Sequence, residues 1–235
     1  MRTTPRNPVF AGIDRSNLQE ARQICQDIAA EVGGIKLGKE FFTAQGPSGL
    51  LSVVGENIPL FLDLKFHDIP NTVAGAVRSA ATFLKPTMLT IHASGGPAMI
   101  RAAADASAEF ETARPWILGV TVLTSMDDED LVATGVSDTA SDQVRRLAEL
   151  ARKNGADGVI CSPFEIEALR ADNGPNFKLV VPGIRPVGSD HGDQKRVKTP
   201  IEALNSGADY LVISRPIIDA PSPASAARSI VDSLS

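Results

Sequence analysis

The feature that most constrains the fold is a regular alternation of short apolar runs with longer amphipathic segments. Eight runs rich in β-branched and aliphatic residues predict strands at 9–14, 34–37, 59–65, 88–92, 116–123, 158–162, 178–182 and 210–214. The segments between them carry apolar residues at helical spacing, most clearly at 17–32, 71–84, 97–110, 140–154, 163–171 and 223–234. Strands that alternate with helices in this way predict a parallel sheet with connecting helices.

Eight such units in 235 residues predict an α/β fold, a single (β/α)8 TIM barrel domain that spans residues 1–235. An open doubly wound sheet agrees less well, because its first turn is glycine-rich, whereas here that turn is Asp14, Arg15 and Ser16. The longest irregular stretch, at about 183–198, follows the seventh strand. Its length and position predict a ligand-gripping loop, with a disordered insertion as the alternative.

Composition narrows the classes of partner. The chain has 23 basic and 28 acidic residues and a net charge of −5, which argues against a nucleic-acid or anionic-membrane surface and favours a small-molecule partner. The absence of a signal-peptide pattern and of a long apolar run predicts a cytoplasmic protein. Cys25 and Cys161 lie in apolar segments, which predicts buried free thiols. His67, His92 and His191 lack metal-ligand spacing, so no metal is predicted.

Polar side chains end most of the predicted strands. Those at or just after a strand end are Asp14, Asp63, Lys65, His92, Thr124, Ser125, Ser162, Arg185 and Arg215; Lys36 lies within the second strand, and Pro182 ends the seventh. A parallel barrel brings the carboxyl ends of its strands to one mouth, where fixed charges act strongly because water is scarce. Lys36, Asp63, Lys65 and Asp68 are therefore predicted to place two carboxylates and two ammonium groups there. The alternative is a neutral network that only stabilises the fold.

The third strand and the last one indicate what this mouth binds. Strand alternation predicts that Phe61, Asp63 and Lys65 share one face of the third strand, while the residues between them pack on the other. Arg215, directly after the eighth strand, predicts a phosphate site, and Gln194 in the long loop carries an amide that can donate to the same anion. A surface arginine that merely covers the barrel is the alternative.

The segment at 63–72, Asp-Leu-Lys-Phe-His-Asp-Ile-Pro-Asn-Thr, resembles the signature of the orotidine 5′-phosphate decarboxylase family. Further blocks resemble the same family in the same order along the chain. They lie at 35–38, 92–96, 122–125, 182–186, 192–194 and 215–217.

This resemblance implies a homodimeric barrel that converts orotidine 5′-monophosphate to uridine 5′-monophosphate and CO2 in de novo pyrimidine biosynthesis, without a cofactor or metal. It implies that Lys65 donates the proton and that Lys36, Asp63 and Asp68 complete the charged array. Residues implied to bind substrate are Asp14, Lys36, Ile69, Thr72, Thr124, Ser125, Pro182, Arg185, Gln194, Ser214 and Arg215. Asp68, Ile69 and Thr72 are implied to reach into the partner subunit's site.

The sequence departs from the family pattern at Ser214, because glycine usually precedes the final arginine. The added hydroxymethyl group can crowd a phosphate or strain a turn that needs glycine, so we expect modestly altered phosphate binding. Two other functions stay open at this point. One is a metal-dependent sugar-phosphate decarboxylase or aldolase of the same barrel superfamily, and the other is a non-catalytic nucleotide-binding barrel.

Overall fold

The protein is a closed barrel of eight parallel strands. The computed structural model describes residues 5–55, 57–186 and 198–234. Each strand pairs with the next along the chain, and the last pairs with the first. The strands are β1 (Val9–Gly12), β2 (Gly34–Gly38), β3 (Leu60–Phe66), β4 (Met88–His92), β5 (Trp116–Val120), β6 (Gly158–Ile160), β7 (Lys178–Val181) and β8 (Tyr210–Ile213). The prediction of a (β/α)8 barrel is confirmed.

Helices follow the strands along the chain. In the described residues they are α1 (Leu18–Ile28), α2 (Lys39–Val54), α3 (Pro70–Phe83), α4 (Gly96–Ala108), α5 (Asp128–Ala133), α6 (Ala140–Lys153), α7 (Ile166–Asn173), α8 (Pro200–Asn205), α9 (Arg215–Ile218) and α10 (Pro223–Asp232). Helix α2 was not predicted, because Gly46 and Pro47 interrupt its pattern. The backbone kinks there, with Gly46 at a φ of 63°.

The apolar core has two layers. Inside the barrel, buried side chains from six strands pack together, namely Phe10, Phe61, Met88, Leu118, Val180 and Val212. A larger cluster fills the space between the strands and the surrounding helices. Because the interior is filled with side chains, the barrel is a packed core, and ligands can enter only at its ends.

The carboxyl ends of the strands depart from the predicted bounds for a physical reason. The apolar run at 116–123 leaves the sheet after Val120, and the hydroxyl of Thr121 donates to the carbonyl of Ile160 at 3.1 Å. Val122 and Leu123 then line a cavity at the barrel mouth. Their apolar character therefore belongs to a cavity wall and not to a strand.

The predicted gripping loop lies only partly in the described residues. At its two ends, Ile184 and Lys198 form an isolated parallel bridge, and the Arg185 N–H donates to the carbonyl of Lys198 at 3.0 Å. Residues 187–197, which include Gln194, lie outside the described residues.

Both cysteines are buried free thiols, as predicted. Burial raises the pKa of Cys25 to about 11, and it raises the pKa of Cys161 well above its usual value. In the part of the chain that the structure describes, no helix is long and apolar enough to cross a membrane.

Candidate active site

A cavity of about 530 Å³ opens at the carboxyl ends of the strands, and it contains most of the predicted site. The predicted residues that line it are Asp14, Lys36, Asp63, Lys65, Thr124, Pro182, Arg185, Ser214 and Arg215. This volume lies within the range that holds small-molecule ligands. Phe61 contributes to the floor and also packs in the barrel interior, so the cavity rests directly on the core.

Two carboxylates and two ammonium groups alternate across the cavity. Lys65 Nζ lies 2.7 Å from Asp63 Oδ2, and Lys36 Nζ lies 3.8 Å from the same oxygen. Lys36 Nζ also donates to Asp14 Oδ1 at 3.1 Å. The side chains of Lys36 and Asp63 are only 12% and 13% exposed. The predicted convergence of Lys36, Asp63 and Lys65 is therefore observed, with Asp14 as the fourth member.

The end of β3, which carries Asp63 and Lys65, is irregular in its pairing with β4. Leu62 pairs with Leu89, but the next pair is Phe66 with Ile91, so the register shifts between them. Lys65 has a φ of 53°, in the left-handed region that residues with a Cβ rarely adopt. The predicted alternation nevertheless holds, because Phe61, Asp63 and Lys65 all line the cavity.

Sequence reasoning missed Thr90 of β4, which contacts both Asp63 and Lys65. Its Oγ1 accepts the backbone N–H of Lys65 at 2.9 Å and donates to Asp63 Oδ1 at 3.0 Å. Thr90 is fully buried. The available signal was a single hydroxyl residue inside the apolar start of a strand, at 88–91.

Ser214 orients Asp14 at the other side of the array. Its hydroxyl contacts Asp14 Oδ2 at 2.8 Å and the carbonyl of Gly12 at 2.6 Å. Burial by itself raises the pKa of Asp14, but the charge of Lys36 and hydrogen bonds from Ser214 and Lys36 outweigh it and lower the pKa. A Cβ on Gly12 would lie 2.9 Å from Lys36 Cε and 3.1 Å from Ser214 Oγ, so a side chain at this position would displace members of the array.

The strain considered for Ser214 is not observed. Its φ is −112°, which is outside the left-handed region, so a side chain is accommodated without the penalty that favours glycine. Its hydroxyl bonds to the carboxylate of Asp14 and to the Gly12 carbonyl. The serine thus takes part in the charged array as well as preceding Arg215.

Three arginines also line the cavity, and together they form what we call its arginine wall. Arg185 is buried, and its Nη1 donates to the carbonyl of Ile184 at 2.9 Å. Arg215 begins α9 and also lines the cavity. Arg15, which was not predicted as a site residue, lines it too and forms ion pairs with Glu20 and Asp219. This wall carries the positive charge that an anionic group requires.

Other predicted residues lie at the edge of the cavity or away from it. Ser125 lines a neighbouring surface pocket that it shares with Thr124. Ser162 is buried, and its hydroxyl has no hydrogen-bond partner among the described residues. His92 ends β4 with its ring centroid 5.3 Å from that of His67. Burial and the neighbouring charges of His67, Lys39 and Lys65 lower the pKa of His92.

The segment after β3 does not line the cavity of its own chain. Asp68, Ile69 and Thr72 are exposed, with Ile69 at 67%, and none of them lines that cavity. Asp68 Oδ1 accepts the backbone N–H of Ile69 at 2.6 Å. The mouth of one chain thus brings together Asp14, Lys36, Asp63 and Lys65, but it does not include Asp68.

The described residues contain no group of three or more His, Cys, Asp or Glu side chains arranged to hold a metal ion. Asp14 and Asp63, the two carboxylates of the charged array, are paired with lysines. In each carboxylate one oxygen faces a lysine ammonium group, and the other contacts the hydroxyl of Ser214 or Thr90.

Comparisons with known proteins agree on one family. A model of the orotidine 5'-phosphate decarboxylase / HUMPS family matches residues 7–230. A protein of Paramagnetospirillum magneticum named orotidine 5'-phosphate decarboxylase is 52% identical, covering 95% of this chain and 97% of its own. One of Rhodospirillum rubrum with the same name is 54% identical, covering 95% and 92%.

A solved structure supports the same assignment. The crystal structure of orotidine 5'-phosphate decarboxylase from Lactobacillus acidophilus superposes with a TM-score of 0.86 at 34% identity, covering 97% of this chain and 99% of that one. The match thus includes the strands, the helices and the mouth of the barrel. The chain belongs to the orotidine 5′-phosphate decarboxylase / HUMPS family.

Proposed function

We propose that this protein converts orotidine 5′-monophosphate to uridine 5′-monophosphate and CO2, as a step of de novo pyrimidine biosynthesis. The observation that carries the proposal is the alternating array of Asp14, Lys36, Asp63 and Lys65 at the mouth of a barrel of this family. We further propose that the reaction takes place in the cytoplasm and needs no cofactor, nucleic acid or membrane.

Asp63 supplies the first physical effect. Placed beside the substrate carboxylate, its charge raises the energy of the bound substrate, and this repulsion disappears as neutral CO2 departs. Two like charges about 4 Å apart at an effective dielectric constant of about 20 interact by roughly 4 kcal/mol. That contribution is substantial but is smaller than the total barrier reduction of a typical enzyme, which begins at about 8 kcal/mol.

Lys65 supplies the complementary effect. When the bond between C6 and the carboxylate breaks, the electron pair stays on C6 and CO2 leaves. The ammonium of Lys65 stabilises that developing negative charge and then transfers one proton to C6, so that uridine 5′-monophosphate forms and a neutral amine remains to be reprotonated by solvent. Its distance of 2.7 Å from Asp63 places the donor next to the group that repels the substrate carboxylate.

The arginine wall suits the phosphate of the same substrate. Arg185, Arg215 and Thr124 line the same cavity as the charged array, and Thr124 is proposed to lie beside the pyrimidine. Asp14 and Lys36 are proposed to hold the ribose hydroxyls, with Pro182 packing nearby. Closure of the 183–198 loop with Gln194 over the phosphate would let binding energy far from C6 contribute to the rate.

The direct test follows loss of orotidine 5′-monophosphate by ultraviolet absorbance with purified protein, with and without a chelator. We expect turnover that survives the chelator. Turnover lost in chelator and restored by Mg²⁺ would support a metal-dependent reaction of the same superfamily. Thermal stabilisation by the nucleotide without turnover would support a non-catalytic binding protein.

We also propose a homodimer with composite sites, in which Asp68, Ile69 and Thr72 complete the partner subunit's cavity. Their exposure in one chain, together with their position directly after β3, supports this arrangement. Asp68 would then bring a third carboxylate to the array from the other subunit.

Subunit mixing tests the composite site. Lys65→Ala and Asp68→Ala are each expected to be inactive as homodimers. In a mixed dimer, one site would carry both substitutions and the other neither, so random exchange should restore about one quarter of the active sites. A mixture that stays inactive after exchange would show that each site is built from a single chain.

A further inference from the structure

Thr90 occupies a position where a hydroxyl is costly unless it is bonded. It lies in the middle of β4 between Leu89 and Ile91, and all three residues are fully buried. A buried hydroxyl without partners loses the hydrogen bonds that water would provide. Here both hydrogen-bonding capacities are used within the candidate active site, since Oγ1 accepts from Lys65 and donates to Asp63.

The two bonds act on different parts of the array. Donation to Asp63 Oδ1 fixes one oxygen of the carboxylate, while Asp63 Oδ2 receives the Lys65 ammonium at 2.7 Å. The hydrogen bond that Thr90 Oγ1 accepts from the Lys65 N–H fixes the backbone at the point where β3 loses its regular pairing with β4. One hydroxyl therefore holds both the carboxylate and the main chain that carries the lysine.

The backbone of Lys65 needs such support. Its φ of 53° is uncommon for a residue with a Cβ, and such conformations persist where surrounding contacts overdetermine them. The shifted register leaves the end of β3 without the regular β4 ladder between Leu62 and Phe66. The Thr90 hydroxyl provides a hydrogen-bond acceptor within this interval.

We infer that Thr90 is a positioning residue that holds the Asp63 carboxylate and the Lys65 main chain in register, so that the Lys65 ammonium is aimed at C6 of the substrate. This inference rests on the proposed decarboxylation. Thr90 acts through Asp63 and Lys65 and does not itself line the cavity.

The test compares Thr90→Val, which keeps the shape and removes both hydrogen bonds, with Thr90→Ser, which keeps the hydroxyl. Misplacement of a reacting group costs about 10²-fold in rate, so we expect Thr90→Val to lower kcat by roughly 10- to 100-fold. KM for orotidine 5′-monophosphate should change little, because the arginine wall is untouched. Thr90→Ser should recover most of the wild-type kcat.

Thr121→Val is the matched control. Thr121 is a buried threonine next to β5 whose hydroxyl donates to a backbone carbonyl, that of Ile160. The Thr121→Val substitution makes the same chemical change without altering a contact of Asp63 or Lys65, so kcat should stay near the wild-type value. Equal losses in Thr90→Val and Thr121→Val would reduce the effect to general packing and overturn the inference.

A second measurement is independent of turnover. Hydrogen exchange at the Lys65 amide should accelerate in Thr90→Val and stay unchanged in Thr121→Val, because only the first variant removes the acceptor of that N–H.

If the wild-type protein fails to turn over the nucleotide, the proposed function fails, while the exchange rates still decide whether Thr90 holds the backbone. If Thr90→Val does not fold, Thr90→Ala compared with Thr90→Ser replaces it. Wild-type kcat, or unchanged exchange, in the variant lacking the hydroxyl would overturn the inference.

Discussion

The two ends of the barrel carry similar charged groups but arrange them differently. At the amino ends of the strands, Asp157 pairs with Arg114 and also accepts the backbone N–H of Ile117 at 2.9 Å. At the carboxyl ends, Asp63 pairs with lysines at the edge of a cavity. Both carboxylates are largely shielded, with exposures of 14% and 13%, so burial alone does not separate them.

A second acid at the amino end repeats the first pattern. Asp209, directly before β8, accepts the Leu179 N–H at 2.9 Å and pairs with Arg170 and Lys178. These carboxylates bind strand backbone and forked guanidinium groups, which hold them in fixed positions. At the mouth, the lysines that pair with the acids also line a cavity that is large enough for a ligand. Open space beside a charged group, and not its burial, therefore separates the candidate site from the stabilising ion pairs at the other end.

The largest expected effect comes from Lys65→Ala. Loss of proton donation and of positive charge at C6 should lower kcat by at least about 10³-fold. Binding of uridine 5′-monophosphate, measured by calorimetry, should persist because the arginine wall remains. Lys178→Ala at the amino end is the matched control and should leave kcat unchanged. Near-normal turnover in Lys65→Ala would refute its role as proton donor.

Arg215→Ala and Gln194→Ala should weaken catalysis on the phosphorylated substrate. Losing a hydrogen bond to a charged group costs about 1.5–3 kcal/mol, so kcat/KM should fall by roughly 10- to 100-fold in Arg215→Ala. Steady-state kinetics with orotidine, which lacks the phosphate, supplies the control, since the loss should vanish there. Unchanged kinetics in both variants would exclude a phosphate-gripping role.

Asp209→Ala should affect stability and leave catalysis intact. It removes the acceptor of the Leu179 N–H and a partner of Arg170, at a cost of about 2 kcal/mol. For a chain of this size the melting temperature should fall by roughly 4–8 °C. Calorimetry measures the shift, and kcat at 25 °C serves as its control. A loss of kcat without a change in melting temperature would contradict the division between the two ends.

Ser214→Gly should have the smallest effect. Removing the hydroxyl frees one oxygen of Asp14, so KM should rise by a few-fold with little change in kcat. The hydroxyl also helps to lower the pKa of Asp14. The ionised carboxylate of Asp14, which is the form expected to bind substrate, is present above its pKa and becomes protonated as the pH falls through that pKa. Because loss of the hydroxyl raises this pKa, KM in the variant should begin to rise at a higher pH than in the wild type. Identical KM profiles from neutral to acid pH would contradict this expectation.

Much of the fold was predictable because its signals are local. Each predicted strand overlaps an observed one to within a few residues at its ends, since apolar runs of that length have few alternatives between helical segments. Helix α2 escaped prediction because Gly46 and Pro47 break its periodicity. The end of β5 was predicted too late in the chain because Val122 and Leu123 are apolar residues of the cavity wall. Their sequence does not distinguish them from strand residues.

Most charged members of the candidate site were predictable, with Arg15 as an exception, but the contacts that hold them were not. Asp63 and Lys65 stand out because ionisable groups are rare in a buried strand. Thr90 joins β4 to β3, the contact between Ser214 and Asp14 joins β8 to β1, and a single hydroxyl leaves little trace of such contacts in the sequence. Asp157 and Asp209 likewise reveal their role only through their partners.

Periodicity and residue type are properties of neighbouring positions, so they were enough to predict a parallel barrel and the ionisable residues that end its strands. Packing in three dimensions, in contrast, set which of those charges share a cavity, which are enclosed by arginine and backbone, and how Thr90 joins Asp63 to Lys65. The cause is the pairing of the strands around the barrel. It brings β1 beside β8 and sets the register of β3 against β4, and distances across the mouth follow from that geometry.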